Sequence, residues 1–364
     1  MTDRPIRVAI THGDTNGIGY EIIFKAFQDP AMLELCTPII YGSPKVAAYH
    51  RNVLGMQAAF TIINDAADAH DGKLNLLPTF DEEIKVEMGQ SSEDAGRAAL
   101  MALERAMRDY GTGAYDVLVT APINKNNIQG DGFHFVGHTE YIQDRVGGGN
   151  ALMILANDKM RVALVTTHLP LKDVATVITR ELIVEKATTL HKSLLRDFSI
   201  AVPRIAVLSL NPHAGDGGII GLEEGDIITP AVKELAAAGI QAYGPFAADG
   251  FFGRGAFAAF DGILAMYHDQ GLAPFKALDE GTGVNITAGL PIVRTSPDHG
   301  TAYDIAGKGV ADAASLRSAI YMAIDIFRHR QSYDEPLADP LPKLYHEKKE
   351  DGEHPRFGSI PKKA

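Results

Sequence analysis

The amino-acid sequence predicts an α/β fold in which helices cover both faces of a mostly parallel β-sheet. Three observations predict it. Short apolar runs recur along the chain, and each is followed by Gly, Pro, Asn or His. Segments with the apolar spacing of amphipathic helices lie between several of these runs. The runs are apolar almost throughout rather than at alternate positions, which is typical of parallel strands buried on both faces.

Residues that disfavour β-structure flank each apolar run and mark the ends of each predicted strand. In chain order the predicted strands are IRVAIT (6–11), TPIIYG (37–42), DVLVTAP (116–122), ALMILA (151–156), RVALVTT (161–167), RIAVLSLNP (204–212) and GILAMY (262–267).

Amphipathic helices are predicted between the strands. In the first, Ser91 with Asp94 three residues later resembles a capping box, and Gly111 is a suitable stop. The tail from about Tyr333 is rich in proline and charge, which favours a surface extension or partial disorder. The predicted helical segments are 91–111, 171–198, 223–240 and 312–328.

Composition and charge exclude several classes of protein. The chain has 364 residues, 46% of them hydrophobic and 22% charged, which is ordinary for a soluble globular protein. This length fits two domains, or one large α/β unit with a second lobe. A net charge of −12 argues against a nucleic-acid partner, because phosphate backbones require a basic surface. A few local cations can still hold a small anionic ligand.

Cysteine content and hydropathy indicate the compartment. The single cysteine, Cys36, excludes an internal disulfide framework and a cysteine-only metal site within one chain. The N-terminus runs directly into a predicted strand and does not resemble a signal peptide. No apolar stretch reaches the length of a membrane span. We therefore expect a cytoplasmic protein without a membrane partner.

Three histidines directly follow predicted strands. His168, His213 and His268 each come after an apolar run. Imidazoles that meet at one edge of a sheet suit a borderline divalent ion and leave positions open for substrate. A strand-end histidine alone is more often a hydrogen-bonding loop residue, and the wide spacing forms no local motif. The repetition makes the metal hypothesis worth testing, and both interpretations stand at this point.

Two further groups of polar residues suit an anionic ligand. His138 and Thr139 precede a predicted helix, where backbone amides bind anions, although a simple helix cap explains them equally well. Lys276, Asn285 and Arg294 lie at intervals in a glycine-rich region. Two cations and an amide suit a carboxylate or phosphate, and the alternative is solvated loop charge.

Two glycine-rich loops differ in what they indicate. THGDTNGIG (11–19) lacks the G-x-G-x-x-G spacing, so it is not a Rossmann pyrophosphate loop. HGTAYDIAGKG (299–309) has small residues that let its backbone approach a ligand closely, and Asp304 and Lys308 add polar groups.

HGTAYDIAGKG resembles the H-G-[ST]-A-x-D-I-A-G-K-G loop of the isocitrate and isopropylmalate dehydrogenases, which lies against the adenosine of the nicotinamide cofactor. Together with GHTEYI, TTHLPLKDV, LNPHAGDGG, AMYHDQGLAPFK, GVNIT and GLPIVRTSPDHG, it closely resembles the 4-hydroxythreonine-4-phosphate dehydrogenase family of pyridoxal-phosphate synthesis. The motifs extend from residue 6 to about residue 328.

The resemblance implies a fold, an assembly and cofactors. The fold would be the isocitrate/isopropylmalate dehydrogenase-like α/β/α fold. Residues 1–330 would form one unit of two lobes around a central cleft, and residues 331–364 would form a C-terminal extension. The protein would work as a homodimer with NAD or NADP and a divalent metal, Zn²⁺, Mg²⁺ or Co²⁺.

The resemblance also implies the roles of individual residues. His168 and His213 of one subunit would bind the metal with His268 of its partner. Asp269, beside His268, is a candidate for orienting that ligand or transferring a proton. The residues expected to contact substrate are His138, Thr139, Lys276, Asn285 and Arg294. Those expected at the cofactor are His299, Gly300, Thr301, Ala302, Asp304, Ile305, Gly307 and Lys308.

The implied reaction oxidises 4-(phosphooxy)-L-threonine to 2-amino-3-oxo-4-(phosphooxy)butanoate, which loses CO₂ to give 3-amino-2-oxopropyl phosphate. Two segments depart from the family pattern: HGDTNGIG replaces P-G-D-P-[AS]-G-I-G, and AADG (247–250) replaces P-A-D-T. A related dehydrogenase acting on another phosphorylated hydroxy acid or on an aromatic cis-diol carboxylate therefore stays open. From other classes, the alternatives are a metal-dependent phosphohydrolase and a non-catalytic metabolite-binding protein. Neither alternative needs an adenosine-binding loop.

Overall fold

The computed structural model describes residues 4–80, 83–129, 135 and 137–339, and within them the strands form one twelve-stranded sheet. The strands are β1 (Ile6–Thr11), β2 (Cys36–Gly42), β3 (Thr61–Ile62), β4 (Asn75–Pro78), β5 (Val117–Thr120), β6 (Leu152–Ala156), β7 (Arg161–Leu164), β8 (Arg204–Leu208), β9 (Gln241–Phe246), β10 (Gly262–Ala265), β11 (Val284–Ala288) and β12 (Arg294–Pro297).

The helices alternate with these strands, as the sequence predicts. They are α1 (Gly19–Ala26), α2 (Ala31–Leu35), α3 (Pro44–Val53), α4 (Glu93–Gly111), α5 (His138–Arg145), α6 (Leu171–Val177), α7 (Arg180–Arg196), α8 (Thr229–Ala237), α9 (Ala248–Gly253), α10 (His268–Leu278) and α11 (Ala314–Ala338).

The direction of the strands divides the sheet into two halves. The order is β3-β4-β2-β1-β5-β12-β11-β6-β7-β10-β8-β9. Strands are parallel from β3 to β12 and again from β7 to β9, but the three pairs β12–β11, β11–β6 and β6–β7 are antiparallel. An odd number of reversals makes the two parallel groups run in opposite directions. Their carboxyl ends therefore lie at opposite edges of the sheet.

Both faces of the sheet are covered, as predicted. Alternate residues of β1 point to opposite faces: Val8 and Ile10 pack in one apolar cluster with residues of α1 and α11, whereas Ala9 packs in another with residues of α4. All three side chains are fully buried. A strand that is apolar on both faces can only be buried between two layers of helices.

Several predicted limits need correction. Ser92, not Ser91, caps α4, because its hydroxyl accepts a hydrogen bond from the backbone N–H of Ala95. The predicted helix 171–198 is two helices, since Thr179 is extended and caps α7. The predicted helix 312–328 begins at Ala314 and continues to Ala338, and residues 340–364 of the predicted tail lie outside the described part of the chain.

A buried ion pair ties α7 to α11 and gives a stability prediction. Arg330 Nε donates to Asp197 Oδ1 over 2.7 Å, and both side chains are less than a tenth exposed. Asp197→Ala leaves that guanidinium buried without its counter-charge, so we expect the free energy of unfolding in urea to fall by about 3–5 kcal/mol.

The pair of Arg196 with Asp334 joins the same two helices at half-exposed positions and serves as the control. We expect Asp334→Ala to cost less than about 1 kcal/mol. Equal losses in the two variants would show that burial of the pair does not decide its contribution.

Candidate functional site

A strip of polar side chains crosses the middle of the sheet on one face. On this face one apolar cluster contains residues of α4, another contains residues of α10, and the strip lies between them. Because the strand period is two, its residues come from alternate positions of three paired strands. They are Thr120, Asn285, Thr287, Arg294 and Ser296.

This strip forms part of the floor of a cleft of about 280 Å³. The cleft wall includes the start of α5, the loop after β7 and one side of α10. Nine of the residues singled out in the sequence line it: His138, Thr139, His168, His268, Lys276, Asn285, Arg294, His299 and Gly300. The tertiary structure thus brings together residues that are up to 162 positions apart, from 138 to 300.

Arg294 is a buried cation held by neutral groups. Its side chain is 3% exposed, and its guanidinium donates to Thr120 Oγ1 over 2.6 and 3.2 Å and to Thr287 Oγ1 over 3.2 Å. Burial lowers the pKa of Arg294 to about 10, against the opposing effect of the Glu140 charge. The group therefore stays charged at neutral pH, and two hydroxyls leave most of that charge available to an anion in the cleft.

Lys276 differs from Arg294 because it has a carboxylate partner. Lys276 Nζ lies 3.2 Å from Asp298 Oδ1. Burial raises the pKa of Asp298, and the charge of Lys276 opposes that shift. Asn285 completes this end of the floor, and its Oδ1 is buried without a hydrogen-bond partner among the described residues. An unpaired acceptor of this kind suits a ligand hydroxyl or ammonium.

His138, at the first turn of α5, is neutral at physiological pH. Burial lowers its pKa well below the usual value, and the charges of Arg294 and Lys125 lower it further. Beside it, Thr139 Oγ1 lies 3.4 Å from Thr287 Oγ1, which connects α5 to the cleft floor. A neutral imidazole can both donate and accept, so this wall offers polar contacts of either kind.

His168 and His268 lie together at one end of the cleft. Their ring centroids are 6.2 Å apart. Burial lowers the pKa of His168, followed by the charge of Lys125, whose Nζ is 3.0 Å from His168 Nε2. His268 Nδ1 bonds to Asp269 Oδ1 over 2.7 Å, and His268 Nε2 has no hydrogen-bond partner among the described residues. Two imidazoles, one of them oriented by a carboxylate, are suitable metal donors.

His213 is not part of the cleft. It begins an exposed turn after β8, and the residues that line the cleft do not include it. Across residues 4–80, 83–129, 135 and 137–339, no three His, Cys, Asp or Glu side chains of this single chain could hold a metal ion. The arrangement also differs from the expected division of ligands, because the chain itself places His268, not His213, beside His168.

The loop of residues 299–309 continues from the cleft and packs against the loop that follows β1. Ile18 N donates to Thr301 O over 3.1 Å. Tyr303 is the principal link, because its hydroxyl donates to Asp14 Oδ2 over 2.7 Å. Gly17 is required at this contact, since a Cβ there would lie 2.8 Å from Thr301 O. Thr301, Ala302, Asp304, Ile305, Gly307 and Lys308 are thereby held next to the cleft rather than in it.

Sequence reasoning assigned no role to several residues that the structure brings to the site. Lys125 and Glu140 flank His168, Asp298 pairs with Lys276, and Tyr303 anchors the loop. One signal was available for the cleft floor: Asn285, Thr287, Arg294 and Ser296 alternate with apolar or small residues, which is the pattern of strands with one polar face.

Comparison with known proteins identifies the family. The profile of the family described as pyridoxal phosphate biosynthetic protein PdxA matches residues 34–323, most of the chain. The chain belongs to the PdxA family. The family resemblance of its motifs and the predicted α/β fold class are therefore confirmed.

Members of the PdxA family with curated names are similar over nearly the full length. The 4-hydroxythreonine-4-phosphate dehydrogenase of Bacteroides thetaiotaomicron is 59% identical over 361 residues, which is 99% of each chain. The enzyme of the same name from Sulfurihydrogenibium sp. is 42% identical over 326 residues, which is 90% of this chain and all of that protein.

Solved structures of PdxA enzymes have the same fold. The 4-hydroxythreonine-4-phosphate dehydrogenase of Klebsiella pneumoniae is 33% identical with a TM-score of 0.77, and the match covers 90% of this chain and 99% of that one. A terephthalate 1,2-cis-dihydrodiol dehydrogenase from Burkholderia xenovorans is 26% identical with a TM-score of 0.59, and the match covers 88% of this chain and 98% of that one.

Among the helices of the described ranges, none combines the length and apolarity that crossing a bilayer requires.

Proposed function

We propose that this protein is an NAD(P)-dependent dehydrogenase. It oxidises 4-(phosphooxy)-L-threonine to 2-amino-3-oxo-4-(phosphooxy)butanoate, which loses CO₂ to give 3-amino-2-oxopropyl phosphate in the synthesis of pyridoxal phosphate. One observation carries the proposal: the cleft that contains the buried Arg294 guanidinium is continuous with His299 and Gly300 of the cofactor loop. The names of its relatives support the substrate.

The substrate is proposed to lie over the polar strip. Arg294 binds one of its anionic groups, because among the described residues its guanidinium hydrogen-bonds to hydroxyls and not to a carboxylate. Lys276 contributes less charge than Arg294, since Asp298 neutralises part of it. The unpaired Asn285 Oδ1 accepts a hydrogen bond from the substrate ammonium or hydroxyl, and His138 and Thr139 bond to it from the side.

The residues also fit a divalent metal, provided that a second subunit completes the site. His168 and His268 supply two imidazoles in one chain, and we propose that His213 of the partner subunit supplies the third. Imidazole donors suit Zn²⁺ or Co²⁺ better than Mg²⁺. Asp269 Oδ1 bonds to Nδ1 of His268, and Asp269 is therefore proposed to orient this imidazole for the metal.

The proposed reaction uses groups of the chain and two bound cofactors. When bound, the metal polarises the substrate hydroxyl and the nicotinamide accepts a hydride. Oxidation removes a proton from the hydroxyl and a hydride from its carbon, which leaves a carbonyl. Loss of CO₂ then breaks the bond to the carboxylate, and a proton takes up the electron pair. The chain positions the substrate through Arg294 and Asn285 and covers it with the neutral imidazole of His138.

Residues 299–309 are proposed to hold the cofactor, and His299 and Gly300 are the part of this loop that lines the cleft. The bond of Tyr303 to Asp14 fixes this loop before any ligand arrives, which reduces the entropy lost on binding. We further propose that residues 1–330 form one unit of two lobes around the cleft. The enzyme is proposed to act as a homodimer in the cytoplasm.

Absorbance of the reduced nicotinamide tests the function. With 4-(phosphooxy)-L-threonine, NAD or NADP and added Zn²⁺ or Co²⁺, we expect reduction of the cofactor, and mass spectrometry should detect 3-amino-2-oxopropyl phosphate. Reduction only with another phosphorylated hydroxy acid, or with an aromatic cis-diol carboxylate as in the Burkholderia relative's name, would identify a related dehydrogenase. Release of phosphate without cofactor reduction would contradict the proposal in favour of a phosphohydrolase.

A further inference from the structure

The turn that carries His213 has an unusual backbone. Six consecutive residues from His213 to Gly218 have positive φ angles, between 44° and 98°. Three of them, His213, Ala214 and Asp216, are not glycine. A left-handed conformation costs such residues about 1–2 kcal/mol each. Strain of this size persists only where the surrounding structure imposes it, and it is common at functional sites.

The side chain of Glu224 holds this turn against the end of β8. Glu224 is 5% exposed. Its Oε1 accepts hydrogen bonds from the backbone N–H of Leu210 over 2.8 Å and of Asn211 over 2.7 Å, and its Oε2 accepts from Asn211 Nδ2 over 3.0 Å. These three bonds compensate the burial of the carboxylate, which would otherwise be unfavourable.

Gly215 packs directly on that carboxylate. A Cβ at this position would lie 2.6 Å from Glu224 Oε2 and 2.8 Å from Gly221 O. Glu224 therefore contacts both the strand end before His213 and the interior of the turn after it. Gly217 has a similar left-handed φ of 66°, but a Cβ there would have nothing within 4 Å.

We propose that Glu224 is the positioning residue of His213. This inference rests on the proposed metal site. The carboxylate fixes the backbone on both sides of the histidine, so the Cα–Cβ bond of His213 has one direction. A ligand ordered before the metal arrives loses little freedom on binding. Removing the Glu224 carboxylate lets the strained turn relax toward ordinary φ values, and His213 then becomes a weaker metal donor.

The test measures Zn²⁺ and Co²⁺ affinity of the full-length protein by calorimetry. We expect Glu224→Ala and Gly215→Ala to weaken binding about 10–100-fold. Glu223→Ala and Gly217→Ala are the matched controls and should bind as the wild type does. Glu223 carries the same charge one residue away and accepts a hydrogen bond from Asn211 Nδ2 over 2.7 Å, whereas the backbone N–H groups of Leu210 and Asn211 donate to Glu224. Gly217→Ala introduces a similar backbone strain without a clash.

The absorption spectrum of bound Co²⁺ separates positioning from general destabilisation. Loss or loosening of one imidazole changes the intensity of the visible bands, whereas a less stable protein with an intact site keeps them. If Glu224→Ala does not fold, Gly215→Ala against Gly217→Ala decides the same question.

Two results would overturn the inference, and they differ from failure of the proposed function. Suppose that Glu224→Ala and Gly215→Ala both keep the wild-type metal affinity while His213→Ala loses its metal. This result would show that His213 binds metal without support from the Glu224 carboxylate. Equal losses in the control variants would show that charge or glycine content, rather than contact with Glu224, governs affinity. If His213→Ala itself keeps wild-type affinity, the proposed metal site fails and the inference falls with it.

Discussion

His213→Ala is expected to lose its bound divalent metal and nearly all dehydrogenase turnover while keeping its fold. The side chain is exposed in the turn after β8, so its removal costs little stability. It is also proposed as one of only three imidazole donors, and two donors hold a metal much less tightly. Metal content after dialysis, turnover and circular dichroism measure the three parts of this expectation. Full turnover of a metal-free variant would contradict the metal assignment.

Mixed dimers show which subunit supplies which ligand. If His168 and His268 act in one chain and His213 reaches them from the partner, His168→Ala and His213→Ala should complement each other. In the mixed dimer one site receives both lesions and the other receives none. Random pairing makes about half the dimers mixed, and half of their sites are intact, so about a quarter of wild-type activity should return.

The mixture of His168→Ala with His268→Ala is the decisive control. Both lesions then lie among donors of the same chain, every site keeps one, and activity should not return. The opposite result, with recovery only in this second mixture, would support the division implied by the motifs, in which the partner supplies His268. No recovery in either mixture, with subunit exchange confirmed by mass spectrometry, would contradict a shared site.

Arg294→Ala is expected to lower kcat/KM for the substrate by roughly 1.5–3 kcal/mol, which is about 10–150-fold. The guanidinium is buried and held by threonine hydroxyls, so the substrate anion is proposed as its main partner. Steady-state kinetics with substrate and cofactor varied separately measure the effect, and the cofactor KM should change little. Arg294→Met keeps most of the side-chain volume, so an equal loss in that variant assigns the effect to the charge.

Tyr303→Phe is the reciprocal control. It removes the hydroxyl that bonds to Asp14 and should raise the cofactor KM while leaving the substrate KM near its wild-type value. If Arg294→Ala changed only the cofactor KM, the anion site would have to be assigned to a phosphate of the dinucleotide instead of to the substrate.

Local sequence features were sufficient for the architecture. Apolar runs such as IRVAIT place side chains on both faces of a strand, and only a sheet between two helix layers buries both faces. The same runs located the strand ends at which the candidate functional residues follow, including His168, His213 and His268. The loop 299–309 was recognisable because HGTAYDIAGKG resembles a loop of the isocitrate and isopropylmalate dehydrogenases.

The sequence by itself therefore determined the fold class, the family and the identity of nine of the 22 residues that line the cleft. Only the tertiary structure decided that the middle of the sheet is antiparallel, that the cleft floor is one polar face of β5, β11 and β12, and that His213 lies apart from His168 and His268. The physical reason is that strand direction and contacts between distant residues depend on how the whole chain packs. The hydrophobic periodicity of a sequence predicts only whether a side chain is buried, and not which residues it contacts.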